Sequence, residues 1–229
     1  MKLNGVNKLF IAIAIGLIGV HVYRVLLYRG WDRYFYFTNI CTPPGHPAYV
    51  RDAYFLTAND GEFSSIRYEE SNHFQTGWKE SYYFPETHEK QLLPEKLVLK
   101  YVSYRDKQFY RDTINLPVDK IKRWIDQIIM ERKATDIYYR GRHVPGITFL
   151  AGIANDGNIL VWLKGEGVEH LVARARIKPV TPTKDDTYYD GEAMTANAYI
   201  KLRFSGLDDS LKTRIGAGRE AKANYRDSL

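Results

Sequence analysis

The six histidines, His21, His46, His73, His88, His143 and His170, are the first residues to test for chemistry, because imidazoles spaced along one helix or strand face can share a metal ion. None forms a His-x-His or His-x-x-x-His pair, so the sequence offers no local metal-ligand spacing. Cys41 is the single cysteine, which rules out an intramolecular disulfide and a cysteine-based zinc site. No Gly-x-Ser-x-Gly elbow or P-loop occurs, and Gly216-Ala217-Gly218 lacks the third glycine and the preceding strand of a dinucleotide fingerprint. Glu69-Glu70 and Asp185-Asp186 pair carboxylates, but general acid–base work needs carboxyls opposed across a pocket, whereas sequence neighbours usually belong to a solvated turn. The expectation is a protein that is not an enzyme and takes no cofactor and no metal. A hydrolase site assembled from residues far apart in the chain would escape these spacing rules.

Two segments carry recognition chemistry instead. Tyr138-Tyr139-Arg140-Gly141-Arg142-His143 combines aromatic faces with guanidinium donors able to grip a carboxylate or phosphate. Its plainer role is a loop after a helix whose arginines cover a sheet edge and blunt self-association. The run Asp185-Asp186-Thr187-Tyr188-Tyr189-Asp190 offers rigid tyrosine contact area, with acids to meet a basic partner surface. Its plainer role is an ordinary solvated loop. The candidate partner-binding residues are therefore Asp185, Asp186, Tyr188, Tyr189 and Asp190, with Tyr139, Arg140 and Arg142.

These segments need a scaffold, and the chain supplies one in pieces. Lys2 and Lys8 precede the apolar run Leu9–Val20, which continues through Val22, Tyr23 and Val25–Tyr28 without a small-x-small cleavage triplet. Residues 9–28 read as an uncleaved signal anchor, with Arg24 placed to snorkel and Tyr23, Tyr28 and Trp31 suited to an interface. Residues 1–40 form this anchor and its juxtamembrane stretch. Residues 41–48, with three prolines and a glycine, read as a linker into a β-rich domain over 49–206, and a polar tail with weak helical character follows from 207 to 229. Strand-like runs recur at 49–57, 63–69 and 78–84, and hairpins are expected at 96–104/108–116 and 147–154/159–164, with a further strand over 168–180. After Pro117, the residues Val118, Ile121, Trp124, Ile125, Ile128 and Ile129 fall at helical spacing. The fold class is α+β: a mainly antiparallel sheet with one amphipathic helix packed on it, behind an N-terminal transmembrane helix.

Composition agrees with a folded domain and restricts its partners. The chain of 229 residues is 45% hydrophobic and 26% charged, and its 14% aromatic content favours pleated, half-buried surfaces. The formal charge of +6 is spread over 33 basic and 27 acidic residues, which argues against a nucleic-acid groove. The local exceptions, Arg24, Arg29 and Arg33, follow the apolar segment, where anionic headgroups attract cations. Positive charges flank the segment on both sides, so the positive-inside count barely separates the two orientations.

Leu93-Pro94-Glu95-Lys96-Leu97 with Tyr101 and Ser103-Tyr104, then Phe109-Tyr110 and Leu116-Pro117, resembles a family of bacterial domains of unknown function. Leu150–Ala154, Asp156-Gly157-Asn158 and Val161–Gly165 extend the resemblance, which covers residues 80 to 170. Members are often envelope lipoproteins, and some are encoded beside phospholipase effectors of type VI secretion, which implies an immunity role. Cys41 follows Ile40 far from the apolar run, so this chain lacks the lipoprotein cleavage box. The expectation is a single-pass inner-membrane protein whose domain faces the periplasm and binds a protein partner, a secreted phospholipase effector, and no nucleic acid. The alternative is a structural or assembly subunit of the bacterial envelope.

Overall fold

The computed structural model describes residues 4–58, 63–82, 89–221 and 224–225. It opens with α1 (Gly5–Tyr28), capped by the Asn4 side chain, which accepts from the Asn7 N–H at 2.9 Å. Arg29 ends the helix in the left-handed region (φ 48°) and donates its N–H to the Val25 carbonyl at 3.0 Å. None of the residues of α1 is buried. At 24 residues it is about 36 Å long, enough to cross a bilayer core of roughly 30 Å. A single 3₁₀ turn, Gly30–Asp32, joins it to the domain. Asp32 is held there by Arg29 at 2.8 Å and by Lys122 at 3.0 Å, and these two cations depress its carboxyl pKa.

The strands then run β1 (Arg33–Tyr34), β2 (Tyr36–Cys41), β3 (Ala48–Thr57) and β4 (Phe63–Ser65). Past a one-turn helix α2 (Glu69–Asn72) come β5 (Gln91–Leu92), β6 (Pro94–Ser103) and β7 (Phe109–Asn115). Helix α3 (Val118–Met130) leads into β8 (Thr135–Tyr139), β9 (Arg142–Ile153), β10 (Asn158–Gly165), β11 (Val168–Arg176) and β12 (Pro179–Val180). A small hairpin, β13 (Tyr188–Tyr189) and β14 (Glu192–Ala193), precedes α4 (Ala196–Arg203) and α5 (Asp209–Gly216).

Two five-stranded sheets face each other. One has the order β11-β10-β9-β2, with β8 also paired to β9, and the other β12-β7-β6-β3-β4. Among the named strands pairing is antiparallel except between β2 and β9, which run parallel. Alternation decides the core: Phe149, Ala151 and Ile153 of β9 and Ile159, Val161 and Leu163 of β10 meet Phe55, Leu97 and Leu99 of the opposite sheet. Helix α3 closes this layer with Ile121, Ile125 and Ile128, one buried stripe at helical spacing. Each of those isoleucines contributes about 1.5–3 kcal/mol by leaving water. Thr38 of β2 donates to the Ser65 carbonyl at 2.8 Å, so the edges of the two sheets meet on that side.

The first sheet is covered on its outer face too. Cys41, Leu150, Leu160 and Trp162 pack there under Trp78 and Tyr225. Gly152 makes this possible, because a Cβ in its place would stand 2.5 Å from Trp162 and 2.8 Å from Trp78. The outer face of the second sheet lies under α4, whose Tyr199 and Ile200 pack with Phe204, Leu207, Val102 and Phe109.

The expected α+β architecture, the two hairpins and the helix after Pro117 are present. Several boundaries differ. Residues 41–48 are no linker: Cys41, Thr42 and His46 are buried, and the fold begins at β1, with β2 as an integral strand. Three prolines mark a tight buried connection here because its N–H-poor backbone leaves few donors to satisfy. Trp78–Glu80 is a turn; residues 83 and 84 of the expected strand lie outside the described residues. Beyond the helix after Pro117 stand α2 and α4, and the polar tail carries its expected weak helix as α5, together with the packed Tyr225.

Candidate partner-binding site

The acidic tyrosine loop is pinned to the fold by its second aspartate. In β3, Val50 pairs with Tyr101 and Asp52 with Lys100, leaving Arg51 as the extra residue of a bulge. Arg51 Nη1 donates to the carbonyls of Asp186 and Tyr188, each at 3.1 Å, and to the Tyr199 hydroxyl at 3.2 Å. Lys100 and Arg111 stand opposite each other on β6 and β7, a like-charge pair that needs an answering anion. Asp186 supplies it: Oδ1 lies 2.5 Å from Lys100 Nζ and 3.9 Å from Arg111 Nη1. Its Oδ2 accepts from the Thr183 N–H at 2.7 Å and the Thr183 hydroxyl at 2.8 Å. Burial works to raise the Asp186 pKa, but Lys100 and Thr183 outweigh it and hold the carboxyl below its ordinary value. Asp186 is 3% exposed and committed internally, which removes it from the surface a partner would touch.

Asp185, Tyr188, Tyr189 and Asp190 stay exposed. The last two flank and form a tight turn, in which Asp190 and Gly191 take φ of 48° and 88°, the paired positive values of a two-residue hairpin. The hairpin lays Tyr189 against Arg203 of α4, whose Cζ is 4.2 Å from that ring centroid, 4.8 Å from Tyr49 and 5.1 Å from Tyr199. Tyr49, Arg51, Lys100, Arg111, Tyr199 and Arg203 escaped the sequence reading because they come from four separate stretches of chain, β3, β6, β7 and α4. Thr195, an N-cap accepting from the Ala198 N–H at 3.3 Å, is the signal that could have revealed α4 and the place of Arg203.

The second candidate segment is a hairpin rather than a loop. Tyr139 pairs with Arg142, and Arg140-Gly141 turn between them with φ of 48° and 81°. Tyr139 packs on Phe35 at 4.9 Å between centroids, and Arg140 donates to Glu89 at 3.1 Å in an exposed ion pair worth little to stability. Arg142 lines a groove of about 540 Å³ with Trp31, Arg33, Lys90 and Asp126, where α1 enters the domain. Among the described residues, no hydrogen bond, ion pair or ring contact joins Tyr139, Arg140 or Arg142 to residues 185–190. The structure keeps the two candidate groups apart.

The remaining reactive groups are dispersed. The buried His46 Nε2 lies 3.0 Å from the Glu220 carbonyl, His143 pairs with Asp136 at 2.7 Å, and His170 stacks on Trp124. His88 lies outside the described residues. Among the described residues, no three His, Cys, Asp or Glu side chains converge. Burial pushes the Cys41 thiol up to about 12, which keeps it protonated and poorly nucleophilic. A cleft of about 360 Å³ opens where β2 approaches β4, lined by Thr38, Asn39, Ser65, Arg67, Tyr82 and Gln91 among others.

Residues 33–217 match a family described as a protein of unknown function, DUF2931. The chain belongs to the DUF2931 family. No curated protein and no solved structure matches the chain. The DUF2931 span starts at Arg33, the first residue of β1, and ends at Ala217, the residue after α5. It therefore takes in β2 and the buried 41–48 connection, in agreement with their place in the core, and leaves α1 outside. The family accounts for the domain and not for the apolar helix.

Proposed function

We propose that this DUF2931 protein is a membrane-tethered binding module. It sits in the inner membrane through α1, faces the periplasm, and captures a secreted, lipase-type effector of type VI secretion, neutralising it by covering its active site. The observation that carries the tethered-binder reading is the junction at residues 28–33. An apolar helix with no buried residue enters a packed domain through a single turn clamped by Asp32 to Lys122 and Arg29. Such a junction holds the domain at a fixed place beside the bilayer, where a tether is of use to a protein that intercepts something arriving there. The effector identity rests on the sequence resemblance set out above. The exposed tyrosines and guanidiniums of the two hairpins are side-chain types enriched at energetically important contacts.

The test is recovery of the full-length protein, through an amino-terminal tag, from detergent-solubilised membranes of its native bacterium challenged by effector-secreting competitors. The expected result is a stoichiometric lipase-like protein whose phospholipid hydrolysis falls when the purified binder is added. Recovery of envelope components alone, or of a lipase that remains fully active in the complex, would overturn the immunity reading in favour of an envelope assembly subunit.

A further inference from the structure

Arg203 is a cation whose surroundings the fold leaves unexplained. Its guanidinium lies against three tyrosine rings, those of Tyr189, Tyr49 and Tyr199, at 4.2, 4.8 and 5.1 Å. Rings placed this way favour the cation and restrict its rotamers, so the planar fork is held in place before any ligand arrives. Its Nε is buried with no hydrogen-bond partner. No carboxylate lies within ion-pair distance of it among the described residues, although Lys100, Arg111 and Arg51 are answered. Lys100 and Arg111 share Asp186, and Arg51 donates to two carbonyls and a hydroxyl. Burial raises the Tyr49 pKa, so that ring remains a neutral phenol and supplies no anion. The position of Arg203 in the last turn of α4 explains a preference for positive charge there, through the helix dipole. It does not explain an aromatic cage around an unanswered fork.

We propose that Arg203, caged by Tyr49, Tyr189 and Tyr199, is a recognition site for a carboxylate side chain on an acidic protein partner. The inference deepens the binding function proposed above and rests on it. Guanidinium donors pair bidentately with a carboxylate in one plane, a geometry that an ammonium cannot reproduce. The grooves beside the α1 junction are lined by residues such as Arg29, Trp31, Lys122 and Arg142 and by none of Tyr49, Tyr189, Tyr199 and Arg203, so the cage is assigned to a protein partner rather than to a lipid headgroup.

The experiment titrates the full-length protein in detergent, with its arginines labelled with nitrogen-15, against a synthetic pentaglutamate peptide. The Nε–H resonance of Arg203 is expected to shift saturably, and R203K is expected to bind the peptide at least about tenfold more weakly, because an ammonium cannot reproduce the planar fork. Y189L, on the exposed hairpin, removes one ring without touching the arginine and is expected to weaken binding severalfold, while R123Q on the far exposed face of α3 leaves it unchanged. Near-ultraviolet circular dichroism confirms that each variant is folded. An unmoved Arg203 resonance, equal affinity in folded R203K and Y189L, or an equal loss in R123Q would overturn the proposal. A stronger response to inorganic phosphate or to anionic phosphatidylglycerol vesicles than to the peptide would also overturn it, by assigning the fork to phosphate. A cellular partner retained equally by R203K would remove this site and leave the binding function standing.

Discussion

Lys100 and Arg111 face each other across a β ladder, and their tolerance of one another depends on a carboxylate from the far end of the domain. Asp186→Asn keeps the shape of that side chain and removes the charge. At neutral pH the substitution is expected to cost about 2 kcal/mol, less than the roughly 3–5 kcal/mol of breaking a fully buried pair, because Lys100 keeps contact with water. The sign with pH follows from the depressed carboxyl. Its stabilisation is complete above the ordinary value of 3.8 and is lost as the pH falls through the lower value it has in the fold. Denaturant unfolding of wild type and D186N from pH 7 to pH 3 should therefore show two stabilities that converge on the acid side. A constant difference across the series would assign the loss to packing. Asp186 also shows why the site was only half legible in the sequence. The acidic loop was visible as composition, but the residue that answers it lies on β6, and no local pattern announces a pairing between stretches so far apart.

Elements were legible where one periodicity ran long enough to declare itself. The β6–β7 hairpin alternates cleanly, and α3 repeats its isoleucines at helical spacing behind Pro117. β2 was hidden because it is six residues long, sits between a long apolar helix and a proline cluster, and pairs in parallel with β9 from the other half of the chain. α4 was hidden because its apolar residues form a short run rather than a stripe. α1 was the most legible element, apolar on all sides and buried on none. Replacing Ile13 and Leu17 together with Asp places two charges near the middle of the span, at roughly 2.5–3.5 kcal/mol each for helix insertion. The double variant is expected in the soluble fraction, or lost through failed export, when membranes are washed with carbonate and probed by immunoblot. Membrane retention equal to wild type would show that something other than α1 holds the protein there.

The molecule as a whole is a sandwich whose sheets meet at one flank through Thr38 and Ser65, and that flank is built from β2. The strand contributes Tyr36 and Ile40 to the central core and Cys41 to the outer layer against Trp162, while its Phe37 and the adjoining Phe35 pack with Ile137. Five such buried side chains, at roughly 1.5–3 kcal/mol for each of the larger ones, approach the entire 5–15 kcal/mol by which a domain is typically stable. Removing them also uncovers the β9 edge, an unpaired ladder prone to pairing with other chains. A fragment spanning 29–229 is therefore expected to fold, with a cooperative thermal transition and an aromatic near-ultraviolet signal. A fragment spanning 45–229, cut inside the proline-rich segment, is expected to aggregate on gel filtration and to lack both. A cooperative transition for 45–229 within a few degrees of the longer fragment would mean that the sandwich closes without β2. The proline cluster would then mark the start of the folding unit, and the rigid coupling of α1 to the domain through residues 29–41 would have to be abandoned.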